Sequence, residues 1–184
     1  MCKLLFFRMA ATNIRKNRQT YLPFILTCVG ASALYYILGA LTMSENVASI
    51  YGGNSIQIIL QLGKWIIGIF SAIFLFYTNS FLLKRRKKEF GLYNILGLEK
   101  RHVAVILFLE NFYTAVISVV FGIFMGLLLY KGVFLFLTSL SHFDVVLGFE
   151  IIWPIIRETV ILFGFIFIIL YINGFRQIQC SEPI

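Results

Sequence analysis

Side chains that could carry out catalysis or bind a metal are few and scattered in this sequence. His102 and His142 are far apart, and the three cysteines (Cys2, Cys28 and Cys180) form no CxxC pair, so we interpret them as unpaired thiols. The sequence contains no GxxxxGK[ST] phosphate-binding loop, so we do not expect this chain to hydrolyse ATP itself. The sequence predicts no catalytic residue, no metal and no cofactor, and a membrane enzyme is disfavoured.

Glu110 is the most informative single residue, because it is a carboxylate followed by Asn111 inside a long apolar block. Asn79 and Ser80 lie at a similar depth in the preceding apolar block. A carboxylate within a membrane span is costly unless it is paired or protonated. One interpretation is a polar clasp between the second and third helices that moves with the loop joining them. The other is a static interhelical hydrogen bond or a carboxylate at the membrane interface.

The composition explains why these polar residues stand out. Hydrophobic residues make up 60% of the 184 positions, charged residues make up 13%, and the mean hydropathy is +0.90. A soluble domain of this size needs more polar surface than that. The apolar residues form blocks of about 20, long enough to cross a hydrocarbon core of roughly 30 Å. The sequence therefore predicts an all-α integral membrane protein.

Four transmembrane helices are predicted, at about 21–43, 62–83, 103–130 and 151–171. They form one four-helix unit over 21–173, preceded by an amphipathic interfacial helix over 1–20 and followed by a tail over 174–184. The segment 44–61 is expected to be a polar turn, and 131–150 to carry a short interfacial helix. Gly122 and Gly126 form a GxxxG pair that favours close helix packing.

Basic residues are distributed unevenly around these helices and predict their orientation. The net charge is +8, with five Lys or Arg before the first helix and seven within 84–101. The opposite loops have only Lys64 and Lys131 at their borders. The positive-inside rule therefore predicts that both termini and the 84–101 loop are cytoplasmic. The charge is better explained by topology and anionic membrane lipids than by nucleic acid.

The segment 84–101 combines a basic run, a short amphipathic helix with Phe90 and Tyr93 on one side, and Gly97 in a position to end that helix. A force applied to a short rigid element between two membrane helices would pass directly into both helices. We therefore predict that this segment is a docking site for a cytoplasmic partner.

The string LLKRRKKEFGLYNILGLEKRHVAVILFLEN, from Leu82 to Asn111, resembles the FtsX-like ABC transporter permease family, and more closely the amino-terminal half of BceB-type permeases of antimicrobial-peptide resistance. The opening NIRKN from Asn13 to Asn17, together with Tyr21 and Pro23, is similar to the same family, as is YTNSF from Tyr77 to Phe81. The resemblance covers most of the chain. It implies a permease subunit of the bacterial plasma membrane that transmits ATP-driven motion from a separate ATPase, in antimicrobial-peptide export or resistance or in cell-envelope lipid handling.

The resemblance also implies partners. In this family the loop between helices two and three is a coupling helix that docks on a separate ATPase subunit, and the matching residues here are Glu89, Phe90, Gly91, Leu92, Tyr93 and Gly97. A second permease half or a homodimer is expected. BceB-type members also pair with a sensor histidine kinase, so that kinase is a further expected partner.

The chain departs from the BceB-type pattern because that pattern continues with more helices and a large extracellular domain in its second half. Direct recognition of a peptide by this chain is therefore not implied. Two alternatives remain beside the permease interpretation. One is a membrane adaptor without transport activity that regulates a sensor kinase or another permease half, and the other is a truncated permease fragment.

Overall fold

The computed structural model describes residues 12–13, 16–44, 47, 52–95, 100–141 and 152–179. Within these ranges the chain forms four α-helices and no β-strand: α1 (Arg18–Met43), α2 (Gly53–Ile95), α3 (Lys100–Ser141) and α4 (Trp153–Gln179). Each contains a segment long and apolar enough to cross a membrane, namely Arg18–Met43, Gly53–Arg86, His102–Val133 and Trp153–Gln177. The prediction of an all-α integral membrane protein with four spanning helices is confirmed.

The helices are longer than the apolar blocks from which they were predicted. α2 begins at Gly53 rather than near 62, immediately after Gly52, whose φ of +78° is a left-handed conformation that glycine adopts readily. The predicted polar turn over 44–61 therefore contains the first turns of α2. α3 continues to Ser141, so residues 131–141 prolong α3 instead of forming a separate interfacial helix. α4 continues to Gln179.

Residues 84–95 also prolong α2 instead of forming a separate surface helix. The physical reason is that Lys, Arg, Glu and Leu, which dominate this segment, are good helix formers, and no proline interrupts it. Gly97, the expected end of the coupling helix, lies outside the described residues, as do 142–150 and most of the predicted amino-terminal helix.

The chain divides into two compact units, and each takes a part of all four helices. Unit 1 comprises Met1–Thr27, Ala72–Ile117 and Gly164–Ile184, and unit 2 comprises Cys28–Ser71 and Ser118–Phe163. The core of unit 1 includes Leu83, Val103 and Leu107, with Tyr171 of α4 packed against them. Phe24 and Phe167 meet edge to face there, with ring centroids 6.5 Å apart.

Unit 2 is built around a close approach of α1 and α3. A Cβ atom added to Gly122 would lie 1.7 Å from Ser32 Oγ, and one added to Gly126 would lie 3.0 Å from the Tyr36 ring. The GxxxG pair of the sequence is therefore a helix contact that leaves no room for a side chain at Gly122. Tyr36 also joins Ile155 of α4 in a buried cluster of the same unit.

The outward surface of the helices is apolar. Several large side chains of α2 and α3 are more than half exposed: Ile58, Ile59, Trp65, Ile66, Ile69, Phe70, Ile73, Val120, Phe121 and Phe124. In water such a surface would favour aggregation, whereas hydrocarbon solvates it without cost. The distribution of exposed side chains therefore fits helices surrounded by lipid.

Candidate functional site

The candidate site is a buried network around the carboxylate of Glu110 on α3, which is only 2% exposed. Arg86 of α2 reaches it with two nitrogens, Nη1 on Oε2 and Nη2 on Oε1, the second at 3.1 Å. Tyr21 Oη of α1 donates to Oε2 at 2.9 Å, and Asn13 Nδ2 donates to Oε1 at 3.0 Å. These four residues, named here the Glu110 network, all belong to unit 1.

The geometry of the network is that of a strong, oriented interaction. Arg86 is 2% exposed, so both charges are removed from solvent. A guanidinium paired end-on with a carboxylate, through both Nη atoms, makes two charge-assisted hydrogen bonds, which fix orientation as well as distance. Arg86 Nη1 also donates to Tyr21 Oη, and its guanidinium lies 5.5 Å from the centroid of the Tyr21 ring. One arginine therefore contacts both other helices of the network.

The position of these charges along the helices explains how an apolar protein tolerates them. Between Lys64 and Lys84, α2 has 19 consecutive uncharged residues, and between Glu110 and Lys131, α3 has 20. At 1.5 Å per residue, each run is about the thickness of a hydrocarbon core. Arg86 and Glu110 therefore lie at the end of the uncharged run of their helices, not at its centre, where charge is most costly.

The predicted partners of Glu110 make different contacts. Asn79 Nδ2 donates to the carbonyl of Leu170 at 3.4 Å, and Asn111 Nδ2 donates to the carbonyl of Phe167 at 2.9 Å. Ser80 accepts a hydrogen bond from Asn173 at 3.1 Å. The amides therefore join α2 and α3 to α4, and Arg86, not Asn79 or Ser80, is the α2 residue that binds Glu110.

One cavity of unit 1 brings the three predicted polar residues together. Asn79, Glu110 and Asn111 line it beside Tyr21 and Thr114, and the remaining lining is largely apolar. The space open to the centre of a water molecule is about 20 Å³, which is roughly enough for a single water. Such a cavity is too small for a transported ligand, so the site is better suited to holding helices in place than to binding a substrate.

Three residues of the network, Asn13, Tyr21 and Arg86, were not identified from the sequence as partners of Glu110. Arg86 is one of five consecutive basic residues, which all look like a cytoplasmic anchor. The position of Arg86 on the helix could have identified it, because the residues Leu75, Asn79, Leu82 and Arg86 follow one another at intervals of four, three and four, as residues on one buried helix face do.

Among the described residues no group of three His, Cys, Asp or Glu side chains is placed to hold a metal ion.

In the sequence, the residues expected to contact an ATPase follow shortly after Arg86 of the Glu110 network. Glu89, Phe90, Gly91, Leu92 and Tyr93 belong to the last turns of α2, for which the structure describes the backbone, whereas Gly97 lies outside the described residues. Phe90 follows Arg86 by four positions, about one helical turn. The expected docking segment and the buried arginine therefore share one uninterrupted helix.

Comparison with known proteins agrees with this architecture. The chain is 29% identical over 180 residues to the uncharacterized ABC transporter permease YvcS of Bacillus subtilis (strain 168), covering 95% of this chain and 28% of that protein. It is 27% identical over 171 residues to the bacitracin export permease protein BceB of the same organism, covering 91% of this chain and 26% of BceB. The BceB of Halalkalibacterium halodurans is 28% identical over 155 residues, which cover 84% of this chain and 24% of that protein.

The chain thus spans about a quarter of the length of the curated relatives that it matches. Residues 62–179, well over half of the chain, match the family described as FtsX-like permease C-terminal. That range includes α3 and α4 in full and most of α2, together with Arg86 and Glu110. By this match the protein belongs to the FtsX-like permease family.

Proposed function

We propose that this chain is a permease subunit of an ABC transporter that passes ATP-driven motion from a separate ATPase subunit into its membrane helices. The observation that carries the proposal is the continuity of α2, which runs from its apolar span through the basic segment to Ile95 without a break. Membership of a permease family and relatives named as ABC transporter permeases support the same proposal.

The proposed contact with the ATPase is the end of α2, from Glu89 to Tyr93, together with Gly97. When the ATPase closes on ATP, it pulls on this segment, and an α-helix transmits the pull because its backbone hydrogen bonds resist extension. Arg86, one turn away, passes the displacement to α3 and α1 through the Glu110 network. In this proposal the 84–101 loop and both termini face the cytoplasm, as the basic residues predict.

The proposed setting is export of, or resistance to, antimicrobial peptides, or the handling of cell-envelope lipids. Two relatives are named bacitracin export permeases, which supports the first of these. Because permeases of this family generally act as paired membrane units, a second membrane half or a second copy completes the transporter in this proposal. The ATPase supplies hydrolysis, and this chain supplies no catalytic residue.

The test is retention of an ATPase by the chain purified from its native membranes in mild detergent. We expect an ABC ATPase, identified by mass spectrometry from its own phosphate-binding loop sequence, to co-purify with the unaltered chain. The double variant Phe90→Ala/Tyr93→Ala should retain at most one tenth of the ATPase that the unaltered chain retains. The matched control, Phe121→Ala/Phe124→Ala, removes two aromatic rings from the exposed surface of α3 and should retain it.

Two outcomes would contradict the proposal. Equal retention by the docking variant and the control would exclude the end of α2 as the contact. Recovery of a sensor histidine kinase without any ATPase would favour the alternative function of a membrane adaptor.

A further inference from the structure

We infer that Arg86, Glu110 and Tyr21 are positioning residues that make the unit 1 ends of α1, α2 and α3 move as one body when the ATPase pulls on α2. The inference rests on the proposed function, because it concerns how that motion continues beyond α2. It goes beyond that function by stating that the three helices joined by these residues keep fixed positions relative to one another during the motion.

The first argument is that three helices converge on a single carboxylate. Oε2 of Glu110 accepts from both Arg86 and Tyr21, so the side chains of α1 and α2 meet at one oxygen of α3. Arg86 also donates to Tyr21, which closes a triangle of polar contacts among the three helices. A displacement of any one helix along its axis would break contacts with both of the others.

The second argument is the directionality of these contacts. Apolar contacts between membrane helices can be exchanged for contacts with lipid tails, so packing alone allows small sliding displacements of one helix along another. The paired hydrogen bonds between Arg86 and Glu110 require a fixed orientation. Both groups are almost fully buried, so water is not at hand to replace a lost hydrogen-bond partner. The network therefore resists the sliding that apolar surfaces permit.

The third argument is the contrast with α4 in the same unit. α4 is joined to α2 and α3 by neutral amide and hydroxyl hydrogen bonds, from Asn79, Asn111 and Asn173. Neutral hydrogen bonds are roughly half as strong as charge-assisted ones. The charge-assisted hydrogen bonds to Glu110 thus single out α1, α2 and α3 as the helices that move together.

The experiment measures distances between pairs of spin labels in the complex with its ATPase, reconstituted in lipid nanodiscs. Cys2, Cys28 and Cys180 are replaced by alanine, and single labels are placed at exposed positions of each helix: Gln19→Cys on α1, Lys84→Cys on α2 and Val105→Cys on α3. Each pair, 19–84 and 84–105, is measured without nucleotide and with ATP trapped by vanadate.

In the otherwise unaltered chain we expect both distance distributions to keep their mean and width when ATP is trapped. Glu110→Gln should shift or broaden both distributions on trapping, while the ATPase stays bound. Tyr21→Phe, which removes one hydroxyl and keeps the ring, should affect only the 19–84 pair. Because Glu110→Gln can fail to fold, the Tyr21→Phe variant carries the test by itself.

Two results would overturn the inference. One is a change in either distance on trapping in the unaltered chain, because the helices would then move separately with the network intact. The other is nucleotide-independent distances in the variants, which would mean that the network stabilises the fold but does not position the helices. Loss of the ATPase from the unaltered chain is a different result, because it contradicts the proposed function itself.

Discussion

Arg86 of α2 and Glu110 of α3 are 24 positions apart in the sequence and form an ion pair in which each partner is almost fully buried. The neighbouring Arg85 is exposed and lies over the ring of Phe81, 4.9 Å from its centroid. Two adjacent arginines therefore have different environments, one inside the helix bundle and one on its surface. This difference allows the contribution of the buried pair to be measured against a control of identical chemistry.

Replacing Arg86 by alanine should destabilise the fold far more than replacing Arg85. Arg86→Ala leaves the Glu110 carboxylate buried without its counter-charge, which typically costs about 3–5 kcal/mol. Arg85→Ala removes an exposed side chain and its contact with the Phe81 ring, and should change the unfolding free energy by about 1 kcal/mol or less. Reversible unfolding in mixed detergent micelles measures both variants. Equal losses for the two would show that the pair is energetically unimportant.

Gly122→Ala should destabilise unit 2, because the added methyl group would overlap Ser32 of α1 and approach the backbone carbonyl of Val29 to 3.1 Å. Overpacking of this kind typically costs about 1–3 kcal/mol. Gly132 of the same helix has no atom within 4 Å of an added Cβ, so Gly132→Ala is the control. It should be neutral or stabilising by up to about 1 kcal/mol. Thermal midpoints in lipid nanodiscs distinguish the two, and an unchanged midpoint for Gly122→Ala would contradict the close contact of α1 with α3.

In the ion pair of unit 2, removing Glu158 should destabilise the fold more than removing Lys64. Lys64 is 4% exposed and donates to Glu158 Oε2 at 2.9 Å, whereas the Glu158 side chain is 42% exposed. Glu158→Gln leaves a buried ammonium with less compensation and should cost about 2–4 kcal/mol, whereas Lys64→Met leaves a partly exposed carboxylate and should cost about 1 kcal/mol.

The double variant Lys64→Met/Glu158→Gln serves as the check on this asymmetry, because it removes both charges. It should recover much of the loss caused by Glu158→Gln, and the coupling energy from the four unfolding free energies measures the pair directly. Additive effects would mean that the two side chains act independently.

The orientation predicted from the basic residues can be tested by labelling intact cells with a membrane-impermeant maleimide. Lys131→Cys should react in intact cells, and Lys84→Cys should react only after the membrane is permeabilised. Both positions are exposed in the structure, so accessibility within the fold does not bias the comparison. The reverse labelling pattern would place the 84–101 loop outside and contradict an ATPase contact there.

The sequence was sufficient to predict the fold class because long apolar blocks flanked by Lys and Arg have few alternatives in a bilayer. The ends of the helices were harder to predict. A run of apolar residues ends at the edge of the hydrocarbon core, whereas the helix continues beyond that edge. Residues 84–95 show this, because their basic and acidic side chains are compatible with a helix in water as well as with a loop.

The candidate site was predictable only in part. Glu110 is recognisable because a lone carboxylate in an apolar helix needs a partner, but the identity of that partner depends on how antiparallel helices align. Asn79 and Ser80 were the polar residues at the expected depth, yet Arg86, two turns further along α2, has the longer side chain and reaches the carboxylate. Tyr21 donates through a hydroxyl at the tip of an aromatic ring, which looks like an ordinary apolar residue in a hydrophobicity pattern.

The uncharged runs of α2 and α3, which end next to Arg86 and Glu110, make the protein sensitive to the acyl-chain length of its lipids. A thicker bilayer would draw the buried charges toward hydrocarbon or force the helices upright, and a thinner one would favour tilt. Each ångström of mismatch costs only a fraction of a kcal/mol, but several helices share the same boundary. Membrane fluidisers and changes in fatty-acid composition would therefore alter this permease even though they contact none of its polar residues.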